Sequence, residues 1–187
     1  MQTATAVATL PEAPILRSPV GLEQLFRDHH ALVFRAAYRV TGNASDAEDV
    51  LQTVFMRLAG RDASALPVEN QDGYLRRAAV NAALDVTRRR GRSREDSADD
   101  AMPDRGQPEP DRQELRDCLR QAIARLAPRE AEVFTLRFLE GYSNTEIARM
   151  LDLSRVSVAV IVHRARHRLQ QEIRSYWEVG HGRQQKA

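Results

Sequence analysis

Between Leu22 and Leu169 apolar residues recur at three- and four-residue intervals, the period of helices that bury one face. Leu22, Leu25, Phe26, His29, Val33, Ala36, Ala37 and Val40 form the first such stripe, and Thr41-Gly42-Asn43 closes it with a helix stop. A second stripe follows at once. Val50, Leu51, Val54, Phe55 and Leu58 lie opposite Asp49, Gln52 and Arg57, behind Ser45-Asp46-Ala47-Glu48, which has the form of a capping box. Gly60 to Asp72 is polar and reads as a loop of about a dozen residues, near the length at which unstructured connections carry function. A third helix is expected from Gly73 to Arg90, with Leu75, Ala78, Ala79, Ala82 and Val86 facing a core. Arg77, Asn81, Leu84 and Arg88 share another face of it, at i, i+4, i+7 and i+11.

Gly91 to Arg112 breaks the pattern: Asp, Glu, Ser, Gly and Pro dominate, and Pro103, Pro108 and Pro110 exclude a continuous helix. The expected organisation is a disordered lead (1–20), a helical domain (21–92), a flexible acidic linker (93–112), a second helical domain (113–175) and a tail (176–187). In the second domain Leu115, Leu119, Ala122, Ile123 and Leu126 form an amphipathic helix. Pro128 starts the next helix at a position proline tolerates, and that helix carries Val133, Phe134 and Phe138 before ending at Gly141.

A helix-turn-helix comes next. Ser143-Asn144-Thr145-Glu146 is a capping box opening a short helix with Ile147, Met150 and Leu151 inward, Asp152-Leu153-Ser154 is the turn, and Ser154 caps a long helix from Arg155. Val158, Val162, Ala165 and Leu169 follow the buried stripe of that helix. Arg155, Ser157, Ala159, Val160, His163, Arg164 and Arg168 are left to face DNA, the early ones at base edges and the later cations at phosphates.

Composition sharpens this picture. With 42% hydrophobic, 29% charged and only 5% aromatic residues, the chain reads as a folded all-α protein packed through aliphatic side chains. The net charge is only +2, yet almost every cation is arginine, and these gather at Arg88 to Arg94 and at Arg164 to Arg168, local basic faces suited to a polyanion. Cys118 is the only cysteine, so no intrachain disulfide is expected, and its apolar neighbours suit a small core residue. No signal segment is evident and the longest apolar run, around Val156 to Val162, is too short to span a bilayer, so a cytoplasmic protein with no membrane contact is expected. His29-His30 is the only paired histidine and no second ligand set completes a metal site. The expectation is therefore no catalytic residues, no metal and no cofactor, with His29 satisfied at a helix interface.

Together these segments resemble the sigma-70 superfamily of bacterial RNA polymerase initiation factors, specifically its small extracytoplasmic-function (ECF) group. DAEDVLQTVFMRL at Asp46 to Leu58 is similar to the family's polymerase-binding segment, and GYLRRAAVNAALDVTRRR at Gly73 to Arg90 to its −10 promoter-reading helix. LAPREAEVFTLRFLEGYSNTEIARMLDLS at Leu126 to Ser154 and HRARHRL at His163 to Leu169 are similar to the segment that reads the −35 element. The resemblance implies a factor that binds core RNA polymerase through its clamp helices and flap, recognises promoter DNA and helps open it. It places Asp46, Asp49, Gln52 and Phe55 on the polymerase surface, and Arg76, Arg77, Asn81 and Arg88 near the −10 region. The loop from Leu66 to Asp72 matches one that holds a flipped-out base, which can be read on its Watson–Crick edge. The linker, with seven acidic residues from Glu95 to Asp111, resembles the family's connector, although a plain solvated tether has the same composition.

One departure stands out. Where family members carry a Lys/Arg-Ser-Arg run before the His-Arg-Ala-Arg string, this chain has Ala159-Val160-Ile161. Ala159 and Val160 are expected to touch thymine methyls instead, giving an unusual −35 preference and a weaker phosphate grip. A protein partner on this face, such as an anti-sigma factor, is the other reading. The rival overall is a stand-alone helix-turn-helix regulator acting without polymerase.

Overall fold

The computed structural model describes residues 19–60, 70–96 and 110–184, with side chains over 21–60, 70–93 and 115–175. The described residues form seven helices and no strand: α1 (Pro19–Thr41), α2 (Ala44–Ala59), α3 (Gln71–Asp96), α4 (Pro110–Arg125), α5 (Pro128–Phe138), α6 (Asn144–Leu151) and α7 (Arg155–Gln184). The all-α expectation holds.

Local chemistry accounts for most of the boundaries. Gly42 ends α1 at φ +76°, a left-handed conformation that glycine adopts without steric cost, and its N–H donates to the Tyr38 carbonyl at 2.8 Å. Only Gly42 and Asn43 separate α1 from α2, and the cap of α2 is Asn43 and not the expected Ser45. The Asn43 side chain accepts from the Asp46 N–H at 2.7 Å. Asn70 plays the same part for α3, accepting from the Gly73 N–H at 3.1 Å. Pro128 opens α5 as expected.

Two helices outrun their expected ends. α3 passes through Gly91 to Asp96, because one glycine costs a helix only about 1 kcal/mol relative to alanine and arginines flank it here. α7 continues to Gln184, past both Gly180 and Gly182. The linker's remaining part, 97–109, lies outside the described residues, as does the lead up to residue 18.

α1, α2 and α3 pack together, as do α5, α6 and α7, while α3 also packs on α4 and α5. The buried residues consequently form one continuous core, with Val33, Val50, Leu75, Val80 and Leu84 on one side and Val133, Leu136, Ile147 and Val158 on the other. Cys118 is buried, and burial pushes its thiol up from the ordinary range, which suits an inert core residue.

Candidate nucleic-acid interface

The helix-turn-helix is built by its caps. Ser143 Oγ accepts from the Glu146 N–H at 3.2 Å and Glu146 Oε2 accepts from the Ser143 N–H at 2.8 Å, closing the expected capping box. Those hydrogen bonds hold the Glu146 carboxyl below its usual range. Asp152 then takes a left-handed conformation (φ 51°, ψ 53°), and the Leu153 N–H reaches back to the Ala148 carbonyl at 2.9 Å. Aspartate is one of the few residues other than glycine that visits this region readily, so the turn is set by its own sequence. Ser154 Oγ accepts from the Ser157 N–H at 3.0 Å and starts α7.

Packing then fixes which side of α7 is free. Val158 and Ala165 are fully buried, Leu169 nearly so and Val162 partly, as the stripe predicts. Arg155, Ser157, Ala159, Val160, His163, Arg164 and Arg168 are all exposed. Val156, which the sequence reading left off this face, is 73% exposed, and it lies one turn before Val160 at 43%. The start of α7 thus presents an apolar patch of Val156, Ala159 and Val160 between Arg155 and Arg164. Arg168 donates to Glu130 Oε2 at 3.0 Å, so this cation is held by α5.

On α2, Asp49 and Gln52 are exposed, whereas Asp46 is half-buried and engaged by Arg90 and by Asn43. Phe55 departs from expectation. It is only 7% exposed and meets Phe26 edge-on at a centroid distance of 4.9 Å, so its ring belongs to the core and not to a polymerase-facing surface. Met56, at 75% exposure, is the apolar side chain that α2 does present, on the face of Asp49 and Gln52.

The α3 residues expected at the −10 element, Arg76, Arg77, Asn81 and Arg88, are all partly buried. Arg77 and Asn81 line a cavity of about 230 Å³ with Arg57, Tyr74 and Val54, and also meet Glu132 of α5. Burial opposes ionisation of Glu132, but hydrogen bonds from Arg77, Asn81 and Arg129 outweigh it and hold the carboxyl below its usual range. Most of the Leu66–Asp72 loop lies outside the described residues; of its described end, Asp72 Oδ1 stands 3.1 Å from His29 Nδ1. His29 is therefore satisfied between α1 and α3, as expected.

Among the described residues no three His, Cys, Asp or Glu side chains are grouped to hold a metal ion, and no helix is long and apolar enough to cross a membrane. Residues 25–93 match the family model for sigma-70 region 2, and residues 116–169 that for sigma-70 region 4. The ECF RNA polymerase sigma factor SigE of Mycolicibacterium smegmatis is 33% identical over 154 residues, 79% of this chain; the chain spans 59% of that protein's length. The RNA polymerase sigma-E factor of Streptomyces avermitilis is 32% identical over 82% of this chain and 85% of its own length. The sigma factor RpoE of Bartonella quintana, solved in complex with the anti-sigma factor NepR, superposes with a TM-score of 0.49 at 20% identity, covering 81% of this chain and 96% of that one. With both regions in family order on one chain, and with relatives matched over most of its length, the protein belongs to the ECF group of sigma-70 family RNA polymerase sigma factors.

Proposed function

We propose that this chain binds core RNA polymerase, directs it to a set of promoters and assists their opening, with no covalent chemistry of its own, in the cytoplasm. The observation that carries this reading is the pairing, on one chain, of a region 2 domain with a capped helix-turn-helix whose groove-facing residues are exposed. Asp49 and Gln52, with Met56 beside them, are the α2 surface for polymerase. Arg76, Arg77, Asn81 and Arg88 meet the −10 element. The exposed side of α7 enters the major groove at the −35 element, where Arg164 and Arg168 meet phosphates and Ala159 and Val160 meet thymine methyls. An anti-sigma protein that covers the same apolar patch is a further partner.

Comigration tests the polymerase half of this reading. The purified chain mixed with core polymerase should run as one complex on size exclusion. Substituting Asp49→Ala together with Gln52→Ala should weaken that complex without changing the helical circular dichroism. A chain that binds promoter duplexes yet never comigrates with core would be a stand-alone regulator, and the proposal would be wrong.

A further inference from the structure

A cleft of about 220 Å³ lies where the end of α1, the middle of α3 and one face of α4 meet, and none of the residues assigned to polymerase or DNA lines it. Its floor is aliphatic: Val40 from α1, Leu84 from α3, Leu119 and Ile123 from α4, and Leu139 after α5. Val40, Leu84 and Ile123 are at most 4% exposed, so the core itself fixes the shape of this floor. The rim is cationic. Arg39, Arg116 and Arg120 are the charged residues of the lining, and no carboxylate is among them.

The three guanidiniums differ in what they already hold. Arg39 donates to Glu140 Oε1 at 3.0 Å, and Glu140 also accepts from Arg76 at 3.0 Å, so one buried carboxylate serves two cations. Arg120 donates to Asp117 Oδ1 at 2.6 Å and lies against Gly42, where an added β-carbon would stand 2.0 Å from its Cζ. Glycine at this position therefore closes α1 and also leaves room for the guanidinium. Arg116 shares the face of Leu119, Arg120 and Ile123 on α4, is exposed, and has no ion-pair partner among the described residues. The rim thus carries surplus positive charge directly beside apolar surface.

That combination selects an amphipathic anion. A carboxylate can accept paired hydrogen bonds from a guanidinium, and Arg120 is already held in place for it. A dry cavity of about 150 Å³ takes a benzene ring, so this cleft takes an apolar body of roughly seven or eight carbons. A nucleotide or another polyanion would leave the aliphatic floor uncovered and bury polar groups against it. We propose that the cleft is a binding site for a small monocarboxylate, with its carboxylate on Arg116 and Arg120 and its apolar body over Leu84, Leu119 and Ile123. The site stands apart from the surfaces for polymerase and promoter.

Isothermal titration calorimetry of the full chain without polymerase tests it, with sodium octanoate, butanoate and dodecanoate and with 1-octanol, each below its micelle-forming concentration. Octanoate should bind saturably at one site per chain. Butanoate lacks four of its methylenes and should bind at least roughly thirtyfold weaker. Dodecanoate should bind no tighter than octanoate, because its extra carbons extend past the floor. Octanol, without the charge, should bind roughly tenfold weaker or worse, and Arg116→Gln should lose a similar factor for octanoate. Leu119→Trp fills the cleft and should abolish binding with every arginine in place; helical circular dichroism checks that both variants fold, and Arg116→Gln decides alone if Leu119→Trp does not. Absence of saturable octanoate binding overturns the proposal. So does affinity that climbs steadily through dodecanoate, octanol binding as tightly as octanoate, or an Arg116→Gln chain that binds octanoate like the parent.

Discussion

The apolar start of α7 makes a prediction that separates methyl readout from ordinary phosphate contact. Deoxyuridine lacks only the C5 methyl of thymidine, so replacing thymidines in a −35 duplex with deoxyuridine deletes the proposed partner and leaves the backbone intact. Val160 keeps 43% of its surface exposed, about one of its two methyls, and Ala159 adds one more on the same side. At about 0.8 kcal/mol per buried carbon, the pair contributes about 1–2 kcal/mol, or roughly fivefold to thirtyfold in affinity. Anisotropy titrations should therefore show the parent losing that factor on deoxyuridine duplexes. The variant Ala159→Ser with Val160→Ser should bind both duplexes alike. The comparison is a double-mutant cycle between protein and base, and it cancels any general weakening caused by serine in the helix. An equal thymidine preference in parent and variant would refute the methyl contact. So would indifference of the parent to the missing methyls.

Three further expectations follow from particular residues. Ser143→Ala removes the cap of α6 and should cost about 1 kcal/mol, lowering the thermal midpoint by about 2–4 °C for a chain of this size; an unchanged circular dichroism melt would contradict the capping box. The Glu132 carboxyl is held below its usual range, so its contribution is complete above the unfolded carboxylate value of about 4.3 and is lost as pH falls through the lower folded value. Melts of the parent and Glu132→Gln should accordingly differ at neutral pH and converge in acid, and a constant gap across the acid range would remove Glu132 as the cause. Arg164→Ala should flatten the dependence of log affinity on log salt by about 0.9 for −35 duplexes, and an unaltered slope would show that Arg164 does not meet a phosphate.

The features legible in the sequence are those determined within a few residues. The Ser143–Glu146 box, Pro128 at the head of α5 and the Ser154 cap each depend on a hydroxyl, a ring or a carboxylate acting three or fewer positions away, and the structure contains all of them. The buried stripe of α7 is equally local, because period alone puts Val158, Ala165 and Leu169 on one side. What escaped depends on packing or on distance along the chain. Phe55 and Met56 are neighbours of similar hydrophobicity, and the ring of Phe26, on another helix, goes with Phe55 inside and Met56 outside. The cap of α2 at Asn43 in place of Ser45 is the local exception, its side chain accepting from the Asp46 N–H three positions on. Arg39 and Glu140 are 101 positions apart, and no periodicity joins them. The sequence sets Arg77, Asn81, Leu84 and Arg88 apart from the core face of α3, but Leu84 is buried in the core at 1% exposure, and no local pattern shows that two carboxylates from the second half of the chain meet Arg76, Arg77 and Asn81.

Run-off transcription is the most direct measurement of the central claim. Purified core polymerase is combined with the chain on linear genomic fragments from its own organism, and the start sites are mapped. The account predicts initiation at a limited set of sites that share −10 and −35 elements, dependent on the added chain. It also predicts loss of that initiation when Arg76 and Arg77 are replaced by alanine. Transcripts identical with and without the chain, or none from any fragment, would contradict it.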